Sequence, residues 1–236
     1  MAARHAGGGS YVYVDDTNRN QAESEIAKFE WQPTISIVMP VHDVAPRWLN
    51  RAVESVKQQM YTNWELCIAD DCSTNASTLD ALARLQHDRI TVRRLSVNKG
   101  ISGASNEALD MASGTYIALL DHDDELTPDA LYQVVSVINA ENPDLIYSDE
   151  DLISPSGRYI APHFKPDFSP DLLLEHNYMT HLLVANRDLV DRVGGFREAY
   201  DGAQDYDLIL RLTEQASRIC HIRKVLYHWR SIESST

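Results

Sequence analysis

Thr115-Tyr116-Ile117-Ala118-Leu119-Leu120-Asp121-His122-Asp123-Asp124 sets a short apolar run directly against a cluster of acids. The run reads as a buried strand, and the acids as the loop it delivers. The same pattern recurs upstream. Thr34 to Met39 is an apolar, β-branched run closed by Pro40, Trp64 to Ala69 ends at Asp70-Asp71, and Ile90 to Leu95 is strand-like. Between these runs, Pro46 to Met60 places Trp48, Leu49, Ala52, Val53 and Val56 at helical spacing, and Thr78 to Gln86 and Ser102 to Ala112 are also helical. After the acids, Pro128 to Asn139 is predicted as a helix with Thr127 as its N-cap. Strands separated by helices of this length imply an α/β fold with a mostly parallel sheet and right-handed crossovers. Such sheets bind ligands outside the carboxyl ends of their strands. His42, Asp43, Asp70, Asp71 and the run Asp121 to Asp124 therefore converge on one edge.

Downstream the alternation loosens. Asp144 to Ser148 and His181 to Ala185 are strand-like, Arg187 to Val193 is a short helix, and Gly194-Gly195 is a turn. Asp205 to Thr213 is predicted as a helix and Ile219 to Tyr227 as a last strand. The four prolines between Pro155 and Pro170 suggest a loop over the ligand edge. Residues 1–33 form a polar N-terminal arm or linker, in which Gly7-Gly8-Gly9-Ser10 is a flexible lead.

The formal net charge is −14, and no run of Lys and Arg goes beyond pairs such as Arg93-Arg94. No nucleic-acid groove is expected, and an anionic small ligand would need a local remedy such as a divalent cation. The three cysteines lack metal-type spacing and suit a reducing compartment. No apolar stretch approaches the roughly 20 residues that span a bilayer. The expectation is a cytoplasmic protein, or one at the inner face of the cell membrane. Peripheral membrane association would have to come through regions outside this chain.

Three carboxylates within four residues repel one another unless something positive compensates. Strand-end loops can carry several solvated acids, and that bland reading stands beside the functional one. Delivered by a buried strand to a ligand edge, however, the acids make an oxygen-rich site suited to Mg²⁺ or Mn²⁺. His122 is expected to face away in the turn.

The motifs in order resemble family 2 glycosyltransferases. They are Ile35 to His42, Ile68 to Ser73, Asn98 to Asn106, Tyr147 to Asp151, Gly194-Gly195-Phe196 and Gln204 to Leu208, spread over residues 34–230. The resemblance implies the GT-A fold, with a Rossmann-like, mostly parallel sheet flanked by helices. A glycosyltransferase domain would fill 34–236, divided into a nucleotide-sugar-binding half at 34–125 and an acceptor-binding, catalytic-base half at 126–236. It further implies inverting transfer from a nucleoside diphosphate sugar, UDP ahead of dTDP, with Mn²⁺ or Mg²⁺ on the diphosphate. The acceptor would be a hydroxyl of a glycan or lipid-linked saccharide in surface polysaccharide synthesis.

Position by position, the resemblance puts Pro40, Val41 and Asp43 beside the nucleotide base, with Asp70 or Asp71 contacting it. Asn98, Gly100 and Asn106 would shape the neighbouring loop and helix. Asp121 would lie near the ribose, Asp123 would lead as metal ligand with Asp124 a supporting carboxylate, and Asp121 and His228 would be further metal ligands. Arg230 would pair with phosphate. Asp149, Glu150 and Asp151 would bind acceptor hydroxyls, and Trp229, Tyr178 and His181 would either line the acceptor pocket or simply pack. Asp205 would be the general base, although Gln204 stands where the family usually has Glu. A non-catalytic nucleotide-sugar or glycan-binding module of a larger assembly protein is the competing reading. A dehydrogenase is disfavoured because Gly-x-Gly-x-x-Gly is absent after the first strand. A sugar nucleotidyltransferase is disfavoured because a basic, glycine-rich loop is absent there too.

Overall fold

A computed structural model describes residues 11–231. The elements run α1 (Arg19–Ile26), β1 (Ile35–Val41), α2 (Pro46–Lys57), β2 (Trp64–Asp70), α3 (Ala76–Ala83), β3 (Ile90–Arg94), α4 (Gly100–Met111), β4 (Tyr116–Leu119), β5 (Glu125–Leu126) and α5 (Ala130–Glu141). They continue β6 (Leu145–Ile153), β7 (Tyr159–His163), α6 (Pro170–Glu175), β8 (Leu183–Asn186), α7 (Arg187–Val193), α8 (Gln204–Gln215) and β9 (Ile219–Arg230). The segment Gly7 to Ser10 lies outside the described residues.

One sheet carries both halves, in the order β3-β2-β1-β4-β8-β6-β9-β5, with β7 paired to β6. Period-two alternation divides the core. Ile35, Ile37, Met39, Tyr116 and Ala118 pack on one face under α2 and α5, while Val38 and Ile117 pack on the other under α4, α7 and α8. The parallel expectation holds from β3 to β4, but β8 runs antiparallel to both β4 and β6. Its register pairs Tyr116 with Asn186 and Ala118 with Val184. Continued by three residues, that register sets His181 opposite Asp121. A strand running the other way thus presents its entrance at the edge where β1, β2 and β4 present their exits.

The proline-rich segment is not simply a loop. β7 and α6 lie within it, and Lys165 between them is buried. Lys165 Nζ donates to Glu150 Oε2 at 3.0 Å and to Met179 O at 3.1 Å, and it also meets His181 O. Glu150 in turn accepts from Thr180 Oγ1 at 2.9 Å and His181 N at 3.1 Å. Burial alone would raise the Glu150 carboxyl. The His163 hydrogen bond and the Lys165 ammonium overcome it and push the group down to about 2. This buried ion pair holds the chain segment that enters β8.

Residues of the leading arm are fastened to the domain. Tyr11 OH donates to Asp151 Oδ2 at 2.7 Å, the Tyr13 ring meets His228 edge-on, and Thr17 Oγ1 donates to Asp129 Oδ2 at 2.6 Å. Thr127 does not cap α5. Its hydroxyl binds Asp129 Oδ1 at 2.8 Å, and the helix starts after Asp129, past Pro128.

Lys165→Met leaves Glu150 as an uncompensated buried charge. Unfolding in urea should show a loss of about 3–5 kcal/mol of stability.

Candidate active site

Strand ends and helix starts from both halves enclose an open cavity of about 480 Å³. The first half contributes Pro40, Val41 and His42 at and after the end of β1, Asp71 after β2, and Asn98, Gly100, Ile101 and Ala104 at the start of α4. Asp121, His122 and Asp123 follow β4, Thr180 and His181 precede β8, and Gln204 and Asp205 open α8. Trp229 comes from β9.

The turns of the first half are held by their own polar side chains. Asp71 Oδ1 accepts from Lys99 N at 2.6 Å, fixing the approach to α4. Asn98 Oδ1 accepts from Gly100 N at 3.1 Å. Gly100 has φ +75, a conformation that favours glycine, and a Cβ there would displace the Asp201 carboxylate, whose Oδ2 would lie 2.4 Å from it.

The acidic loop is clamped from β9. Asp124 Oδ2 accepts from Tyr227 OH at 2.7 Å, and Oδ1 accepts from Arg230 N at 2.6 Å. Arg230 Nε donates to Asp123 O at 2.6 Å, and its guanidinium also binds Glu125 and covers Trp48. Burial, opposed by His122 and reinforced by Asp123, pushes the Asp121 carboxyl up. Burial together with Asp121 and Asp123 raises Asp124 further. Ligand atoms of Asp121, Asp124 and His181 all lie within 4.8 Å of one another. Two carboxylates and an imidazole suit a hard or borderline divalent cation, which would relieve the repulsion that raises both acids. The His181 ring stacks on Tyr227 with centroids 4.4 Å apart and meets Trp229 edge-on at 5.7 Å.

Asp205 stands at the start of α8. Burial and the Asp121 charge raise its carboxyl to about 6, against the opposing pull of His181 and of a Gln204 hydrogen bond. Gln204 Nε2 donates to Asp205 Oδ2 at 3.3 Å, and its Oε1 accepts from Gly202 N at 2.8 Å. Gln204 thus ties the carboxylate to the preceding turn without adding a charge.

The cavity collects Pro40, Val41, Asp71, Asn98, Gly100, Asp121, Asp123 and Asp205 from the sequence-derived candidates. Others lie outside its lining. Asp43 accepts from Thr74 N at 2.8 Å and Asn75 N at 2.7 Å, a turn that its φ of 43 creates. Asp70 is buried, with Oδ1 on Ser73 N and Arg94 beside Oδ2. Asn106 joins α4 to Phe196 through its backbone N and O. His228 points away, with Nδ1 2.5 Å from Asp151 Oδ1 and its ring against Tyr159. Asp149 meets His221 Nε2 at 2.8 Å, and Glu150 and Asp151 are buried on partners already described. All three face the interior of the sheet's second half, where carboxylates need partners, rather than the cavity. Tyr178 packs against Tyr147 in the core. His122, expected to turn away, lines the cavity with Nδ1 3.0 Å from Pro40 O. The sequence reading missed Gln204 as a positioning group and His181 as a cation-competent partner of Asp121 and Asp124. His181 reads there only as an acceptor-pocket or packing residue, and its place beside Asp121 follows from β8 running antiparallel to β4.

The family model described as Glycosyl transferase family 2 matches residues 36–197. The uncharacterized protein y4gI of Sinorhizobium fredii is 50% identical over 209 residues, covering 86% of this chain and 23% of that protein. The O-antigen biosynthesis protein RfbC of Myxococcus xanthus is 40% identical over 217 residues, covering 89% of this chain and 17% of that protein. The chain thus spans about a quarter or less of the length of these relatives. Among solved structures, S. aureus TarS in complex with UDP-GlcNAc superposes with a TM-score of 0.73 at 20% identity, over 86% of this chain and 60% of TarS, which is a likeness of fold. No helix among the described residues is long and apolar enough to cross a membrane. A family match across residues 36–197, on a sheet that carries its acids to one edge, makes this chain a member of glycosyl transferase family 2.

Proposed function

We propose that the chain is the catalytic domain of an inverting glycosyltransferase. It would move a sugar from a nucleoside diphosphate, UDP ahead of dTDP, to a hydroxyl of a glycan or lipid-linked saccharide in surface polysaccharide synthesis. The observation that carries this reading is one cavity lined by Asp121 and Asp123 from the donor half and by Asp205 from the other half. The names of RfbC and of the UDP-GlcNAc complex of TarS favour a polysaccharide product and a UDP donor.

Pro40, Val41, Asp71 and Asn98 border the nucleotide. Asp121, Asp124 and His181, whose ligand atoms cluster, would hold Mn²⁺ or Mg²⁺ with Asp123 from the same loop, and the ion would neutralise charge on the departing diphosphate. Asp205 accepts the proton of the acceptor hydroxyl as that oxygen attacks the anomeric carbon opposite the diphosphate. Gln204 holds one Asp205 oxygen and leaves the other for the acceptor.

Three outcomes follow. Asp205→Asn should lower kcat for Mn²⁺-dependent donor hydrolysis by about 10²- to 10⁴-fold while donor affinity persists. A parent protein that binds donor without turnover would instead identify a binding module. Asp123→Ala should abolish the metal-dependent part of donor binding in calorimetry, and equal nucleotide affinity with and without metal would count against that role. In the metal-free protein, carboxyl NMR should find Asp205 titrating near 6. Asp121→Asn should lower that value, because it removes a like charge.

A further inference from the structure

We propose, resting on the metal-assisted reading above, that Tyr11 and Tyr13 are positioning residues of the cation site and act on it through the end of β9. The segment 11–17, which the sequence presents as an arm or linker, is then an integral part of the transferase domain.

Its side chains alternate as an extended segment laid on a surface requires. Tyr11 and Tyr13 turn inward, while Val12 and Val14 are 69% and 65% exposed. Tyr11 OH donates to Asp151 Oδ2 at 2.7 Å. The Tyr13 ring meets His228 edge-on with centroids 4.7 Å apart, and Tyr159 stacks on the same imidazole at 4.1 Å. Lys224 Nζ donates to Thr17 Oγ1 at 2.7 Å and lies 2.8 Å from carboxylate oxygens of Asp16 and Asp129. Tyr13 thus meets β9 at residue 228 and Thr17 meets it at residue 224, so arm and strand run in opposite senses.

Successive residues of a strand point to opposite faces. His228 turns to the arm. Its neighbours Tyr227 and Trp229 turn the other way, toward the acidic loop and His181. Tyr227 OH holds Asp124 Oδ2 at 2.7 Å, and both rings meet the His181 ring. Asp124 and His181 are two members of the clustered ligand set. A shift of His228 is therefore a shift of Tyr227, which bears on two ligands at once.

The strand ladder alone does not fix that end of β9. Its pairing with β6 slips between Ser148 and Asp149 and again between Asp149 and Glu150, just before the pairs Glu150–Tyr227 and Asp151–His228. Such irregularities break the ladder and leave register to side chains. Here the pin is Asp151 Oδ1 against His228 Nδ1, at 2.5 Å, between two buried residues. The arm covers both and supplies the second Asp151 oxygen with a donor. Without it that oxygen is a buried acceptor lacking this partner, and the carboxylate gains by swinging toward water and away from His228.

The test compares the unmodified protein with Tyr11→Phe/Tyr13→Ala and with Val12→Ser/Val14→Ser, the outward pair of the same segment. Calorimetry gives UDP affinity in EDTA and in Mn²⁺, and the ratio of the two is the gain due to metal. The inward pair should reduce that gain by about tenfold, the scale on which groups behind metal ligands act. Affinity in EDTA should be unchanged, because the arm touches none of Pro40, Val41, Asp71 or Asn98. The outward pair should change neither. An undiminished gain in the inward pair overturns the inference. So does an equal loss of affinity in EDTA and in Mn²⁺, which marks general loosening rather than positioning. Should the inward double variant not fold, Tyr11→Phe alone keeps the ring and carries the same comparison. If the unmodified protein shows no gain from Mn²⁺, the metal reading itself has failed and this inference fails with it.

Discussion

The antiparallel register of β8 against β4 is the constraint on which the site depends. A fully parallel sheet would bring only strand exits to the ligand edge, and all of its functional groups would follow strands. Because β8 enters where β4 leaves, Thr180 and His181 arrive beside Asp121 from the second half of the chain. The Lys165–Glu150 pair makes that arrival specific, since it binds the backbone and hydroxyl groups of the entering segment. Buried ion pairs add little net stability compared with apolar packing, but they do fix one arrangement by penalising the rest. Here the arrangement fixed is a wall of the cavity.

The first half was legible because its rules are local. Apolar runs of strand length, each followed by an acid or a turn and separated by helical spacing, dictate parallel pairing, and parallel pairing dictates the edge. Asp71, Asp121 and Asp123 follow from that pattern alone. The second half was harder to read because its contacts are long in sequence. Asp151 and His228 look like exposed acceptor or metal groups until β6 and β9 are paired and each supplies the other's buried partner. Asp43 illustrates a third case, in which a polar residue in the right place is consumed by the turn that puts it there.

Electrostatics gives the two walls different characters. The Asp121–Asp124 loop is held in a state of repulsion, with its backbone and one acid clamped by Arg230 and Tyr227. Asp205 sits close enough to feel that charge, and a neutral Gln204 restrains it where a Glu would have raised its carboxyl further. Gln204 therefore restrains Asp205 without adding a second charge to that of Asp121.

The clamp on Asp124 also bears on the order in which the molecule matures. Its two oxygens are held by Tyr227 and Arg230, 103 and 106 residues further along the chain. During synthesis the first half emerges before the second and can form its parallel strands early. Until β9 leaves the ribosome and docks, the Asp124 carboxylate lacks both of these partners. A nascent chain therefore lacks the finished cluster, and the site is assembled only by a molecule that has completed its sheet.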